Sequence, residues 1–230
     1  MLEPTQLAAL VTSAIAPSGP LAGKRVLLTA GPTRERIDPV RFISNRSSGK
    51  MGFAVAAAAR EAGADVTIVC GPVSIATPPG VKRIDVESAA DMLNAVMKNI
   101  DGVDIFVATA AVADYRPANP VECKIKKTSE SMDLKMERTV DILATVAARS
   151  NPPFCVGFAA ESHDVAEQAE AKRRRKKLPL IVANRAQDAL NSDSNEVTLL
   201  DDAGAHPLPK MDKLGLARRL VAEIAQRLAK

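Results

Sequence analysis

A chain of 230 residues that is 47% hydrophobic can bury one substantial α/β core, with room for a small subdomain. No apolar run reaches the roughly 18–20 residues that span a bilayer, and Met1-Leu2-Glu3-Pro4 lacks a signal peptide's basic and apolar regions, so a cytoplasmic protein with no membrane partner is expected. A net charge of only +4, 3% aromatic residues and no Trp argue against a nucleic-acid platform built on base stacking, and three scattered cysteines (Cys70, Cys123, Cys155) fit a reducing compartment rather than a disulfide framework or zinc site.

Taken in chain order, residues 1–22, rich in Ala, Pro and Ser, read as a short helix and connector outside the core, with the packed domain over 23–230. A strand near 24–30 is followed by the turn Gly31-Pro32-Thr33-Arg34-Glu35, the loop Ser44-Asn45-Arg46-Ser47-Ser48-Gly49-Lys50-Met51-Gly52, an alanine-rich helix near 50–62 and a strand near 64–70. Strand, small-residue loop, helix, strand is the unit that leaves unpaired backbone N–H groups and a helix dipole where an anion binds. The amide of Asn45, the hydroxyls of Ser47 and Ser48 and the cations Arg41, Arg46 and Lys50 suit a phosphate or a carboxylate under activation. Lys50 is followed by Met51, which excludes a Walker loop, and Gly49-x-x-Gly52 alone is no dinucleotide fingerprint. On spacing alone the loop is equally a helix start with serine caps.

Further strands are expected near 82–86, 103–109, 154–158 and 179–183, with helices near 88–99, 139–149 and 164–176. Unbroken apolar runs alternating with helices mean buried parallel strands and right-handed crossovers, hence a doubly wound, mostly parallel, Rossmann-like sheet. The second strand ends in Cys70-Gly71, without the acidic residue that an NAD-binding oxidoreductase places there. Residues from about 110 to 138 break the rhythm: Ala110 to Pro117, Lys124-Ile125-Lys126-Lys127 and the alternating Met132 to Glu137 read as antiparallel strands and a polar loop, an arm with edges suited to dimerisation. Asp114 follows a strand's carboxyl end, as a ligand-site residue or as the cap of the next turn. In the basic run Lys172–Lys177, Lys172 and Lys176 are four apart on one helix face, which fits a solvated face or a triphosphate site. A hairpin from Glu196 to Gly204 and an amphipathic helix from about Met211 to Leu228 close the chain.

Over about residues 23–228 these blocks resemble phosphopantothenoylcysteine synthetase, the carboxyl-terminal half of a bacterial bifunctional protein of coenzyme A biosynthesis. The resemblance is carried by Thr29 to Glu35, Asp38-Pro39-Val40-Arg41, Ser44 to Gly52, Ala110 to Tyr115, Lys124 to Lys127 and Val156-Gly157-Phe158-Ala159-Ala160-Glu161. It implies ligation of 4′-phosphopantothenate to L-cysteine with CTP and Mg²⁺ through an acyl-cytidylate, releasing pyrophosphate and then CMP. It implies catalytic roles for Asn45, for Arg41 and for Lys124 on a flap. It also implies a CTP site at Ala108, Thr109, Ala110, Asp114, Lys124, Val140-Asp141-Ile142-Leu143, Phe158, Lys172 and Lys176. Asp114 is the implied metal contact, with the nucleotide phosphates, and Ser47, Ser48, Gly49, Lys50, Met51 and Gly52 are the phosphate loop. A homodimer through the arm is expected from its open strand edges, and the resemblance implies a flavin-dependent decarboxylase domain preceding residue 1 in the bifunctional form, with no flavin in this chain. Val140 departs from the family's usual proline, which frees the backbone angle and restores an N–H. The rival reading is a nucleotide-binding module of the same fold that turns nothing over.

Overall fold

The computed structural model describes residues 18–127, 130–185, 187 and 192–229. Its strands are β1 (Arg25–Ala30), β2 (Arg34–Arg36), β3 (Phe42–Ser44), β4 (Asp65–Cys70), β5 (Val81–Asp85), β6 (Ile105–Ala108), β7 (Tyr115–Pro117), β8 (Met136–Arg138), β9 (Phe154–Glu161), β10 (Leu180–Arg185), β11 (Ser194–Asp201) and β12 (Gly204–Asp212). Its helices are α1 (Lys50–Glu61), α2 (Ala89–Asn99), α3 (Ile142–Ala147), α4 (Val165–Lys176) and α5 (Lys213–Leu228). The first part of the expected connector, residues 1–17, lies outside the described residues. Its last part is corrected: Leu21 is buried in the core and its N–H is bonded to the Ala62 carbonyl, so packing begins before residue 23.

Eight strands form one sheet in the order β12-β11-β10-β9-β6-β1-β4-β5, parallel from β10 to β5 and antiparallel at β11 and β12. The parallel strands are apolar runs buried on both faces, as in β1, where every residue after Arg25 is buried. One layer of core holds α1 and α5 against the sheet, with Phe53, Val55, Leu216 and Leu220 facing Leu28 and Ile68. The other holds α2, α3 and α4, with Met92, Val96 and Val146 against Leu27 and Phe106. The helix starts follow local chemistry. Ser88 and Asp91 form a reciprocal capping box on α2, and Asp141 and Asp212 cap α3 and α5 with side-chain oxygens.

The strand order reverses at β1, which pairs in parallel with β4 on one side and β6 on the other. Beyond the pairing, the Thr109 N–H still bonds the Thr29 carbonyl and the Ala111 N–H bonds the Gly31 carbonyl, so the two chains stay joined as they leave the sheet. The expected antiparallel arm is present as the pair β7–β8, while Lys124 to Lys127 lie between these strands without strand structure. A second small hairpin, β2–β3, replaces what the sequence offers as a turn and loop. Its strands are three residues long, and the one buried side chain in them is the charged Glu35, so they carry no apolar period to read.

Gly52 sets how closely α1 approaches the sheet. A Cβ built there would lie 2.4 Å from Thr109 Oγ1 and 2.5 Å from Ala30 Cβ. Gly52→Ala must therefore push α1 off the ends of β1 and β6, and an overpacking loss of about 1–3 kcal/mol is expected in urea unfolding. An unchanged midpoint would mean that the helix is free to move.

Candidate active site

Two cavities meet where β1, β6 and β9 end, at the reversal of strand order, the place at which open α/β sheets take their ligands. They share Thr109, Ala111, Phe158 and Ala160 as a common wall.

The first, of about 360 Å³, is lined by Asn45, Arg46, Ser47, Ser48, Gly49, Lys50, Met51 and Gly52, so the whole expected phosphate loop faces one space. The serine-cap reading of this loop is not what forms. The N-cap of α1 is Gly49 in the left-handed region at φ 77°, with no side chain capping the helix. The Ser47 hydroxyl instead accepts from the Gly49 N–H at 3.3 Å. The first-turn N–H groups of α1 have no partner within the helix and stand at the cavity's edge. Asn45 is fixed by its Nδ2, which donates to the Ala111 and Val112 carbonyls at 3.1 and 3.2 Å. Lys50 reaches Asp193 at 2.5 Å, and this bond holds the Asp193 carboxyl below its ordinary value.

The sequence reading missed the far wall of this cavity: Asn184, Asn195 and Lys213, all buried polar residues. Burial, and next the charge of Lys50, lower the Lys213 pKa from the usual lysine value. The legible signal was an asparagine bordering each of two largely apolar stretches, Asn184 after Ile181-Val182-Ala183 and Asn195 shortly before Val197-Thr198-Leu199-Leu200, but such residues also serve as ordinary turn formers.

The second cavity, of about 320 Å³, collects Ala108, Thr109, Ala110, Asp114, Val140, Asp141, Ile142, Leu143, Phe158, Lys172 and Lys176, together with Thr29, Val112 and Thr139. The expected lysine pair is therefore turned inward rather than solvated. Lys176 Nζ lies 2.6 Å from Asp141 Oδ2, and Lys172 Nζ donates to the Phe158 carbonyl at 3.0 Å. Burial, then the neighbouring Lys176 charge, depress the Lys172 pKa against the opposing pull of Glu161, Asp141 and Asp114. Burial alone would raise Asp141. The Lys176 bond, the Ala144 N–H and the two lysine charges outweigh it and leave that carboxyl lowered. With a proline at 140 absent, the loop is held by Asp141 itself: Oδ1 caps α3 at Ala144 and Oδ2 takes Lys176. Asp114 is exposed at the cavity mouth, and its carboxylate bonds no described residue. Among the described residues no group of three or more His, Cys, Asp or Glu is placed to hold a metal ion.

Arg41 and Lys124 line neither cavity. Arg41 is turned onto the buried Asp38 carboxylate, with Nε at 3.0 Å and Nη2 at 2.5 Å, and Nη2 also donates to the Ile125 carbonyl. The chain thus gathers the two pockets but keeps Arg41 on the β2–β3 hairpin and Lys124 on the arm, outside both linings.

Residues 21–228 match the family described as DNA/pantothenate metabolism flavoprotein C-terminal domain. The chain belongs to this family. It is 50% identical over 99% of its length to the Coenzyme A biosynthesis bifunctional protein CoaBC of Vibrio cholerae, and 46% identical over 99% of its length to that of Escherichia coli, covering 58% of each relative. The chain thus spans a little over half the length of these curated relatives. A crystal structure of the C-terminal domain of Coenzyme A biosynthesis bifunctional protein CoaBC is similar at a TM-score of 0.80 and 43% identity, over 92% of this chain and 99% of that one.

Asp141 carries the local stability of the second cavity. Asp141→Ala removes the cap of α3 and strands Lys176, and should cost about 1 kcal/mol at neutral pH. Because the carboxyl is lowered in the folded state, its contribution is full above the unfolded carboxylate value and is lost as the pH falls through the folded one. The difference between wild type and variant in urea unfolding should therefore shrink in acid. A gap that persists at low pH would assign the effect to packing instead of charge.

Proposed function

We propose that this chain catalyses ligation of 4′-phosphopantothenate to L-cysteine with CTP, through an acyl-cytidylate, in coenzyme A biosynthesis. The observation that carries the reading is that the expected nucleotide residues, Lys124 apart, line one cavity while the phosphate loop lines a second, with Ala111 and Phe158 between them. Two anionic reactants bound on either side of one wall are positioned for attack of a carboxylate on a phosphoryl group.

In the first step the substrate carboxylate forms a bond to the α-phosphorus of CTP as the bond to pyrophosphate breaks. In the second, the cysteine amine attacks the acyl carbon, CMP leaves and the amine's proton passes to solvent. Lys172 and Lys176 neutralise the triphosphate, with Asp141 holding Lys176 in place. The open N–H groups of α1 and Lys50 hold the phosphate of the second substrate. Asn45, anchored through Nδ2 to the backbone of the shared wall, offers a neutral amide next to the reacting acyl group, where a carboxylate would repel it. Lys124 closes on the nucleotide from the arm. The donor set fits Mg²⁺ only as a nucleotide-borne ion, to which Asp114 would offer one carboxylate at the second cavity. Such an ion, when bound, neutralises phosphate charge on the departing pyrophosphate.

The arms support a homodimer. Val40, Phe42, Tyr115, Met132 and Leu134 on and beside β2–β3 and β7–β8 are large apolar side chains left exposed. Light scattering is expected to give twice the chain mass, and an active monomer would overturn the dimer. In the bifunctional form a flavin-dependent decarboxylase domain precedes this one. The chain works in the cytoplasm without membrane or nucleic-acid partners, and no helix among the described residues is long and apolar enough to cross a membrane.

The deciding assay is pyrophosphate release with 4′-phosphopantothenate, Mg²⁺ and either CTP or ATP, with and without cysteine. Release with CTP, and ligated product only when cysteine is added, is the expected result. No release with either nucleotide from folded protein would leave a nucleotide-binding module of the same fold.

A further inference from the structure

The carboxylate of Asp38 is the most heavily hydrogen-bonded acid among the described residues. Its side chain is fully buried, and it accepts from the Val40 and Arg41 N–H groups at 2.8 Å each, from Arg41 Nε and Nη2, and from the Ile125 N–H at 3.2 Å. Four of these bonds shape the tip of the β2–β3 hairpin and its arginine, but the last crosses 87 residues to the middle of the Lys124–Lys127 segment. Arg41 Nη2 completes a ring by donating to the carbonyl of the same Ile125 at 3.1 Å. The peptide groups on both sides of Ile125 are therefore bonded, one to a carboxylate and one to the guanidinium that this carboxylate orients.

The hairpin grips the incoming segment a second time. The Val121 N–H donates to the Ile37 carbonyl at 3.1 Å, and Arg36 Nη2 reaches the Val121 carbonyl and the Glu122 carboxylate. Those contacts are at the surface, with the Glu122 side chain 87% exposed, and such pairs contribute little. The Asp38 contacts are shielded from solvent, and the Arg41 bonds hold its carboxyl far below the ordinary value against the opposing effect of burial.

We infer that Asp38 is a positioning residue: by bonding Arg41 and Ile125 at once it makes the hairpin tip and the lysine segment one body, and so sets where the Lys124 ammonium can reach. Lys124 immediately precedes the clamped Ile125, so its backbone cannot shift without breaking the Asp38 or Arg41 bond. The lysine segment has no strand partner of its own, which leaves this clasp as its tie to the core side of the arm among the described residues. The catalytic part of the inference rests on the ligase reading above; the clasp itself does not.

The experiment is limited trypsin cleavage of the full-length native chain, with cuts after Lys124, Lys126 and Lys127 followed by mass spectrometry, on wild type, Asp38→Asn and Arg41→Lys, each checked for intact folding by urea unfolding. Asp38→Asn should speed these cuts by about tenfold, and Arg41→Lys by less, because local opening controls access to the protease. In the ligase assay Asp38→Asn should lower kcat by about tenfold with the nucleotide KM changed less than about twofold, since the second cavity is untouched. Placed in a Lys124→Ala background, it should add less than about a twofold further loss, because both changes act on one group. If Asp38→Asn does not fold, Arg41→Lys alone decides by its cleavage rate. Unchanged cleavage in the folded variants, or losses from Asp38→Asn and Lys124→Ala that multiply, would overturn the inference. If even the wild type turns over nothing, the ligase reading fails, and the cleavage rates still decide the clasp.

Discussion

Crossovers that leave β1 and β6 toward opposite faces of the sheet cannot fill the space above the strand ends, and both candidate-site cavities stand around the gap that results. The gap is kept open from below by backbone. Thr109 and Ala111 bond back to Thr29 and Gly31, so the chain rises beyond the sheet as a narrow wall instead of collapsing into it. That wall divides the crevice in two. On one side Gly52 allows α1 to sit against Thr109 and Ala30 with its first-turn N–H groups directed at the cavity. On the other, the α3 cap and the inward face of α4 bring Asp141, Lys172 and Lys176 together.

The parts of this arrangement that were legible in the sequence are those enforced by burial. Apolar runs such as Val26-Leu27-Leu28 and Leu180-Ile181-Val182 have one stable environment, a doubly covered sheet, and the spacing of helices between them fixes parallel crossovers. The two small hairpins obey no such constraint. The β2–β3 strands are short and carry no apolar period, so only pairing across the chain defines them. The loop at Ser47 and Ser48 misled for a related reason: hydroxyls suit caps, yet the left-handed Gly49 takes the cap position and leaves the helix start open. Lys172 and Lys176 were ambiguous as part of a basic run, and what turns them inward are partners outside the run, the Phe158 carbonyl for Lys172 and Asp141 for Lys176. Asn184, Asn195 and Lys213 reach the site only because β10, β11 and α5 converge on it, a property of topology that no local spacing encodes.

A pattern runs through the cations of the crevice. Lys50, Lys176 and Arg41 each hold an aspartate, but the three carboxylates differ in how far water competes for them: the side chain of Asp193 is 88% exposed, that of Asp141 48%, and that of Asp38 is fully buried. A pair open to solvent contributes little and is readily exchanged for a phosphate. Lys50 can therefore turn from Asp193 to an incoming anion at small cost. Lys176 keeps Asp141, which also caps α3, so on the proposed ligase reading a nucleotide phosphate adds to that pair rather than replacing it. Arg41 is held by a carboxylate that also holds Ile125, and removing it from Asp38 would strand a charge inside the protein, a loss far larger than any surface pair repays. The degree of burial thus sorts the cations by how firmly each is held: Lys50 by a solvent-open pair, Lys176 by a carboxylate that also caps α3, and Arg41 by a buried carboxylate that also holds Ile125.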